Sequence, residues 1–253
     1  MANSYLIWNK QTISDFSDTN INSLYNEGFL FTRIALGDIY QTRSLRIDLN
    51  KFKLTSENKR ILKKTENLSL TSYELPVTNY DWRIGKLGKD FYSTKFGDGT
   101  FSANKIKELL TTKHNFNELF QYVFPSLDKE GRTRSVGAVE SDSTPPRLPL
   151  SKGRNQIVGY AICFENKEIL HYCYPFYDLK PETYKLIPNI GMGMMLRTIV
   201  YTKEQGKKYV YLGSVKDEAG KYKLQFEGLE WFDGKTWKTD LEELKQQIKQ
   251  NTL

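Results

Sequence analysis

Between Gln156 and Leu212 the chain passes through two β-rich runs, two closely spaced glycines, a helical run and a short apolar run. That order constrains the fold more than any other feature. Gln156–Phe164 and Glu168–Tyr174 read as a hairpin around Asn166-Lys167. Gly193–Gln205 reads as a helix ended by Gly206, and Lys208–Leu212 as a short strand. Two strands, a glycine turn, a helix and a strand describe one half of a mixed α/β sheet. Leu241–Gln250 follows as a solvated terminal helix.

Upstream, a short helix at Ile21–Glu27 stops at Gly28. Phe29–Ala35 and Ile39–Leu49 read as strands joined at Gly37-Asp38. Thr55–Lys64 is expected as a helix capped by Ser56, with Ile61 and Leu62 as its apolar contacts. Leu68–Leu75 is a strand candidate, and Phe101–Leu110 and Phe116–Val123 read as amphipathic helices. No internal repeat is found. The run Asp128–Asn155 is polar, carries Pro145, Pro146 and Pro149, and has no sustained period. We therefore expect an N-terminal half over residues 1–128, a loop or linker over 129–152, and a C-terminal half over 153–253.

With 253 residues, 39% apolar and 13% aromatic, the chain is long enough to bury a real core. No run approaches the ~18 apolar residues of a membrane span, and Met1–Thr12 lacks a signal-peptide core. The expectation is a cytoplasmic protein without a membrane partner. Cys163 and Cys173 read as free core thiols, not a disulfide. With only His114 and His171 beside them, and no CxxC or HxxH spacing, no metal site is expected. His171 alternates with apolar neighbours and reads as a core or sheet-face residue, whereas His114 reads as surface. The formal charge of +7 suits a polyanionic partner, or is simply a basic surface.

The run from Asn189 to Arg197 holds Gly191, Met192 and Gly193 where a helix opens. Free N–H groups and the positive end of the dipole make such a turn a candidate anion cradle. A tight turn without a ligand is the plainer reading. Pro188 to Gly193 resembles the acyl-coenzyme A pyrophosphate loop of GNAT acyltransferases in its two glycines, without the leading Gln or Arg. There is no G-x-S-x-G elbow and no Ser/His/Asp or Cys/His set.

A wider resemblance covers most of the chain outside the linker. Gly206-Lys207-Lys208-Tyr209-Val210-Tyr211-Leu212-Gly213 resembles the G-x-x-Y-V-Y-L-G hallmark of the arginyl- and leucyl-tRNA–protein transferases of the N-end rule. Phe176-Tyr177-Asp178 is similar to their FYDP segment, with Leu179 in place of proline. Tyr222-Lys223, Phe226 and Glu230 follow at similar positions. Leu24–Phe29, Ser44–Leu62 and Phe101–Ile106 resemble the family's N-terminal motifs. Thr32–Ser44, where the family carries cysteines able to bind an iron–sulfur cluster, has none, so no cluster is expected.

The resemblance implies an α/β protein of two GNAT-like halves, the first of them arginyltransferase-like. It would transfer an aminoacyl group from aminoacyl-tRNA to a protein or peptide N-terminus, with no cofactor. An aminoacyl ester is already activated, so the protein must align the reactants, stabilise an oxyanion and move a proton. Asp178 and Glu230 are the candidate catalytic carboxylates; a turn aspartate and a salt-bridge partner are the plainer readings. Tyr177, Tyr211, Phe226 and Trp231 are candidates to stack the terminal adenine, or core aromatics. Gly191, Met192, Gly193, Arg197, Gly213, Lys221, Tyr222 and Lys223 complete the candidate tRNA 3′-end site. The basic helix Lys51–Lys64, with Lys51, Lys53, Lys59, Arg60, Lys63 and Lys64, is the candidate phosphate-tracking face, or a solvated one. Acyl-coenzyme A-dependent N-acyl transfer is the alternative, and a non-catalytic tRNA- or peptide-binding protein the third reading.

Overall fold

The computed structural model describes residues 6–125 and 155–250. The linker expected at 129–152 lies outside the described residues. The first segment runs β1 (Ile7–Thr12), α1 (Asp18–Asn26), β2 (Phe29–Phe31), β3 (Asp38–Thr42), β4 (Ser44–Asp48), α2 (Ser56–Lys64), β5 (Ser69–Glu74), α3 (Trp82–Phe96), α4 (Ala103–Thr111) and β6 (Glu118–Pro125). The second runs β7 (Asn155–Glu165), β8 (Ile169–Tyr177), α5 (Pro181–Leu186), α6 (Ile190–Glu204), β9 (Tyr209–Ser214), a 3₁₀ segment (Glu218–Gln225), β10 (Leu229–Phe232), β11 (Trp237–Lys238) and α7 (Leu241–Gln250).

The fold class is the expected mixed α/β. Eight strands form one sheet in the order β11-β10-β4-β9-β8-β7-β6-β5, and β1-β3-β2 form a small second sheet. All pairs in the large sheet are antiparallel except β8–β9. A parallel neighbour needs a crossover, and α5 with α6 supplies it. β4, from the N-terminal part, sits between β10 and β9 from the C-terminal part, so strands from both parts of the chain interleave.

Both faces of the sheet are covered. On one, Leu45, Ile47, Phe120, Leu170 and Val210 pack with Met194 and Ile199 of α6, Ile61 of α2, and Leu244 and Ile248 of α7. On the other, Leu119, Ile162 and Tyr211 pack with Tyr25 of α1, Phe91 of α3 and Ile106 of α4.

Four expectations change. Phe116–Val123 is strand, not helix: Leu119, Phe120 and Tyr122 are all fully buried on β6, which is covered on both faces. A strand buried on both sides has no polar face, and its apolar spacing mimics a helical one. Ile39–Leu49 is two strands, broken at Arg43 and belonging to different sheets. Thr55, not Ser56, caps α2. Its hydroxyl accepts the Asn58 N–H at 3.1 Å, and Asn58 Oδ1 accepts the Thr55 N–H at 3.3 Å. Lys51 and Lys53 therefore precede the helix. Finally, α3 has no counterpart among the expected elements, because Gly85 and Gly88 weaken its helical signal.

Candidate active site

β8 and β9 pair only where Ile169–His171 meets Tyr209–Tyr211. Beyond that, β8 continues to Tyr177 against β7, and β9 continues to Ser214 against β4. The sheet thus opens between two parallel strands at their C-terminal ends, where α/β sheets commonly receive ligands. The β7–β8 register explains where the opening begins. Cys163 pairs with Tyr172 and Ile162 with Tyr174, leaving Cys173 as an extra residue in a bulge.

Lys223, from the 3₁₀ segment, reaches into this opening. Its Nζ donates to the Ser214 carbonyl at 3.1 Å, and no carboxylate pairs with it among the described residues. Burial pulls the ammonium down to about 8 from its ordinary value, with Cys173 opposing the shift. Gly213 lies beside it at φ +77°, where a Cβ would stand 3.6 Å from Nζ. The Tyr222 ring is 5.9 Å from Nζ and is 48% exposed. Cys173 donates to the His171 carbonyl at 3.2 Å, and burial pushes its thiol up.

Behind the opening, His171 is buried with Nδ1 at 3.0 Å from the Tyr25 hydroxyl. That hydroxyl accepts the Phe31 N–H at 3.3 Å, so its own proton goes to His171. Burial lowers the imidazole to about 3. It is the core histidine that its alternation implies. His114 is half-buried and stacks on Phe116 at 5.7 Å, which corrects the surface reading.

α6 starts at Ile190, so Gly191 and Gly193 lie inside its first turn, not in a turn before it. Its N-cap, Asn189, is left-handed (φ 63°) and makes no side-chain cap. Both glycines are contact positions. A Cβ on Gly191 would fall 2.7 Å from Tyr177 Oη, and one on Gly193 would fall 2.6 Å from Thr65 Cγ2. Tyr177 therefore seals α6 against the end of β8. Arg197 Nη2 donates to the carbonyls of Thr65 at 2.8 Å and Glu66 at 2.9 Å, tying α6 to the end of α2. Met192 is half-buried against the core. Lys53, Lys59, Lys63 and Lys64 are exposed. Arg60 pairs with Glu57, and Lys51 with Asp48 and Glu230.

The two candidate carboxylates do not converge. Asp178 closes the turn into α5: its oxygens accept the Lys180 N–H at 3.1 Å and the Thr183 hydroxyl at 3.0 Å. It also lines an open groove of about 510 Å³ with Arg83, Asp90, Phe91 and Tyr177. Glu230 is three strand spacings away on β10, about 14 Å across the sheet. Both of its oxygens are engaged, with Arg46 Nε at 2.8 Å and Lys51 Nζ at 3.0 Å. Arg46 is itself held between the rings of Tyr209 and Trp237, 4.0 and 3.9 Å from their centroids.

Of the candidate stacking aromatics, Tyr211, Phe226 and Trp231 are core. The Trp231 indole donates to the Asp240 carbonyl at 2.9 Å, and Tyr211 meets Tyr25 edge-on at 4.9 Å. Tyr177 and Tyr222 remain at the opening, and Lys221 pairs with Glu218. Sequence reasoning does not find the Cys173 bulge or the α3 wall carrying Phe91. A bulge is a property of strand register and leaves no mark in local sequence. Among the described residues, no three His, Cys, Asp or Glu side chains gather as a metal group. No helix among them is long and apolar enough to cross a membrane.

No protein-family model matches the chain. No curated protein sequence matches it either. Among solved structures, it is similar to L-PGS from Bacillus licheniformis at 12% identity and a TM-score of 0.41, covering 79% of this chain and 51% of that one. It is also similar to FemX at 12% identity and a TM-score of 0.43, covering 82% and 62%. The chain thus spans between half and two thirds of these structures, and at such values neither one assigns it an activity.

Proposed function

We propose that this chain transfers an aminoacyl group from aminoacyl-tRNA to an acceptor amine, and that the acceptor is a protein or peptide N-terminus. The observation that carries the reading is Lys223: an ammonium without a carboxylate partner among the described residues, set in the opening between β8 and β9. The motif resemblance around Gly206–Gly213 supports it.

The acceptor's neutral amine attacks the ester carbonyl, and negative charge gathers on the carbonyl oxygen. A pre-oriented ammonium in a poorly hydrated site is the group such an oxyanion needs. Asp178, in the groove beyond Tyr177, is assigned to holding the acceptor's ammonium and taking its proton. Glu230, with both oxygens in ion pairs, is given no part in the reaction. Tyr177 and Tyr222 offer ring faces to the terminal adenine. Lys53, Lys59, Lys63 and Lys64 face solvent on and before α2, which Arg197 fixes to α6, and they would track acceptor-stem phosphates.

Acyl-coenzyme A transfer has one observation in its favour, the uncapped N-terminus of α6. Against it, both glycines are filled by Tyr177 and Thr65, so they leave no cradle for a pyrophosphate. The deciding assay offers a peptide acceptor with either labelled aminoacyl-tRNA or labelled acetyl-coenzyme A. Label transferred from tRNA, at a rate lowered about 10²–10³-fold in Lys223→Met, is expected. Transfer from acetyl-coenzyme A alone would overturn the reading.

A further inference from the structure

We infer that Lys223 is also an acyl acceptor, so that an activated acyl ester entering the opening between β8 and β9 acylates the chain on its own ε-amine. This goes beyond the transfer reading and does not depend on it.

Three features single Lys223 out. First, its tether is a neutral one, the Ser214 carbonyl at 3.1 Å. The comparison is Lys207, which is likewise half-buried but pairs with Glu165 at 2.8 Å. A carboxylate partner holds a lysine in its charged, non-nucleophilic form; a carbonyl in a poorly hydrated site does much less to do so. Second, there is room for a reacting carbonyl. Gly213 places no side chain against Nζ, and β8 bulges at Cys173 on the facing strand. Third, Lys223 is itself half-buried, not sealed off, and the adjacent Tyr222 is exposed. The lowered proton affinity of the amine, about 8, agrees with this geometry. Such a group is neutral in about a quarter of molecules at pH 7.5, against about one in a thousand for an ordinary lysine.

The step balances without a further reactant. The Nζ lone pair adds to the carbonyl carbon and forms the N–C bond. The tetrahedral adduct collapses with cleavage of the C–O bond, and the leaving oxygen takes the proton that Nζ gives up. The products are an amide on Lys223 and a free alcohol. The amide carries no charge, so the modified chain no longer has an ammonium at the opening.

The test uses the full chain and p-nitrophenyl acetate as probe, with tryptic mass mapping over pH 6.5 to 9.5. The expected result is acetylation of Lys223 roughly tenfold faster than of exposed Lys53 or Lys64 at pH 7.5, reaching half its limiting rate near pH 8. One equivalent of p-nitrophenolate should be released in that fast phase, and Lys223→Arg should remove it. The mapping is done on wild-type protein, so it stands even where the variant is unstable. Acetylation of Lys223 no faster than of Lys53, or none, overturns the inference. Fast acetylation upholds it even where no transfer from tRNA is seen, which separates its failure from that of the transfer reading.

Discussion

Lys223, whose ammonium donates to the Ser214 carbonyl and meets no carboxylate among the described residues, has exchanged much of its hydration for a neutral acceptor, and its charge becomes sensitive to pH. If the ammonium stabilises the oxyanion, turnover should fall as pH rises through about 8. Lys223→Met should lower kcat by about 10²–10³, while Lys223→Arg should keep part of the activity and show no high-pH decline. Initial rates with labelled aminoacyl-tRNA read both. His171 titrates the other way in its effect on stability. It is neutral when folded down to about pH 3, whereas an unfolded histidine takes up a proton below about 6.5. Stability is therefore whole above pH 6.5 and declines as pH falls, by up to about 1.4 kcal/mol per unit. Urea midpoints at pH 7 and pH 5 should show a larger drop for wild type than for His171→Gln. Glu230→Gln removes the charge facing the buried Arg46, which keeps its bond to Asn26 Oδ1 at 2.9 Å and its two flanking rings, and should cost roughly 1–3 kcal/mol. Turnover per folded molecule should be unchanged; a much lower kcat in a stable variant would return Glu230 to the catalytic set.

Among the elements, the sequence is most informative where a segment has one buried face and a stop signal. α4 and α7 show their apolar stripes, and β7 with β8 show a hairpin around Asn166-Lys167. It is least informative where burial is two-sided. β6 carries apolar residues on both faces and takes on a helical rhythm. The glycines at the head of α6 look like a loop because nothing local reveals that Thr65 and Tyr177 occupy the space of their missing side chains. At the site, Lys223 and Tyr222 are legible from motif resemblance, whereas the Cys173 bulge that opens the sheet exists only in strand register. Gly193→Val should collide with Thr65 and lower the melting temperature by several degrees, since overpacking typically costs about 1–3 kcal/mol. α2 itself is testable through salt. Reversing Lys59, Arg60 and Lys63 to Glu should weaken binding to all tRNAs alike. It should also flatten the log–log salt dependence by about 0.7–0.9 for each phosphate that is no longer neutralised. Arg60 is already paired with Glu57, so Lys59 and Lys63 should carry most of that change in filter-binding titrations.

For the molecule as a whole, β4 is the decisive strand. It lies between β10 and β9, and its Leu45 and Ile47 belong to the same buried cluster as Leu244 and Ile248 of α7. Residues 1–128 and 153–253 should therefore fail to fold separately, and should recover native circular dichroism and a cooperative melt when mixed. A cooperative melt of either fragment alone would restore two independent halves. The same placement governs what happens during synthesis. The slot for β4 does not exist until β9 and β10 leave the ribosome, more than 160 residues after β4 itself has emerged. Throughout that interval the nascent chain displays an unpaired apolar strand edge, the kind of surface that chaperones bind and that aggregates if they do not. Closing the sheet is then a long-range, late event, so the rate of folding should be set by the arrival of β9 and β10.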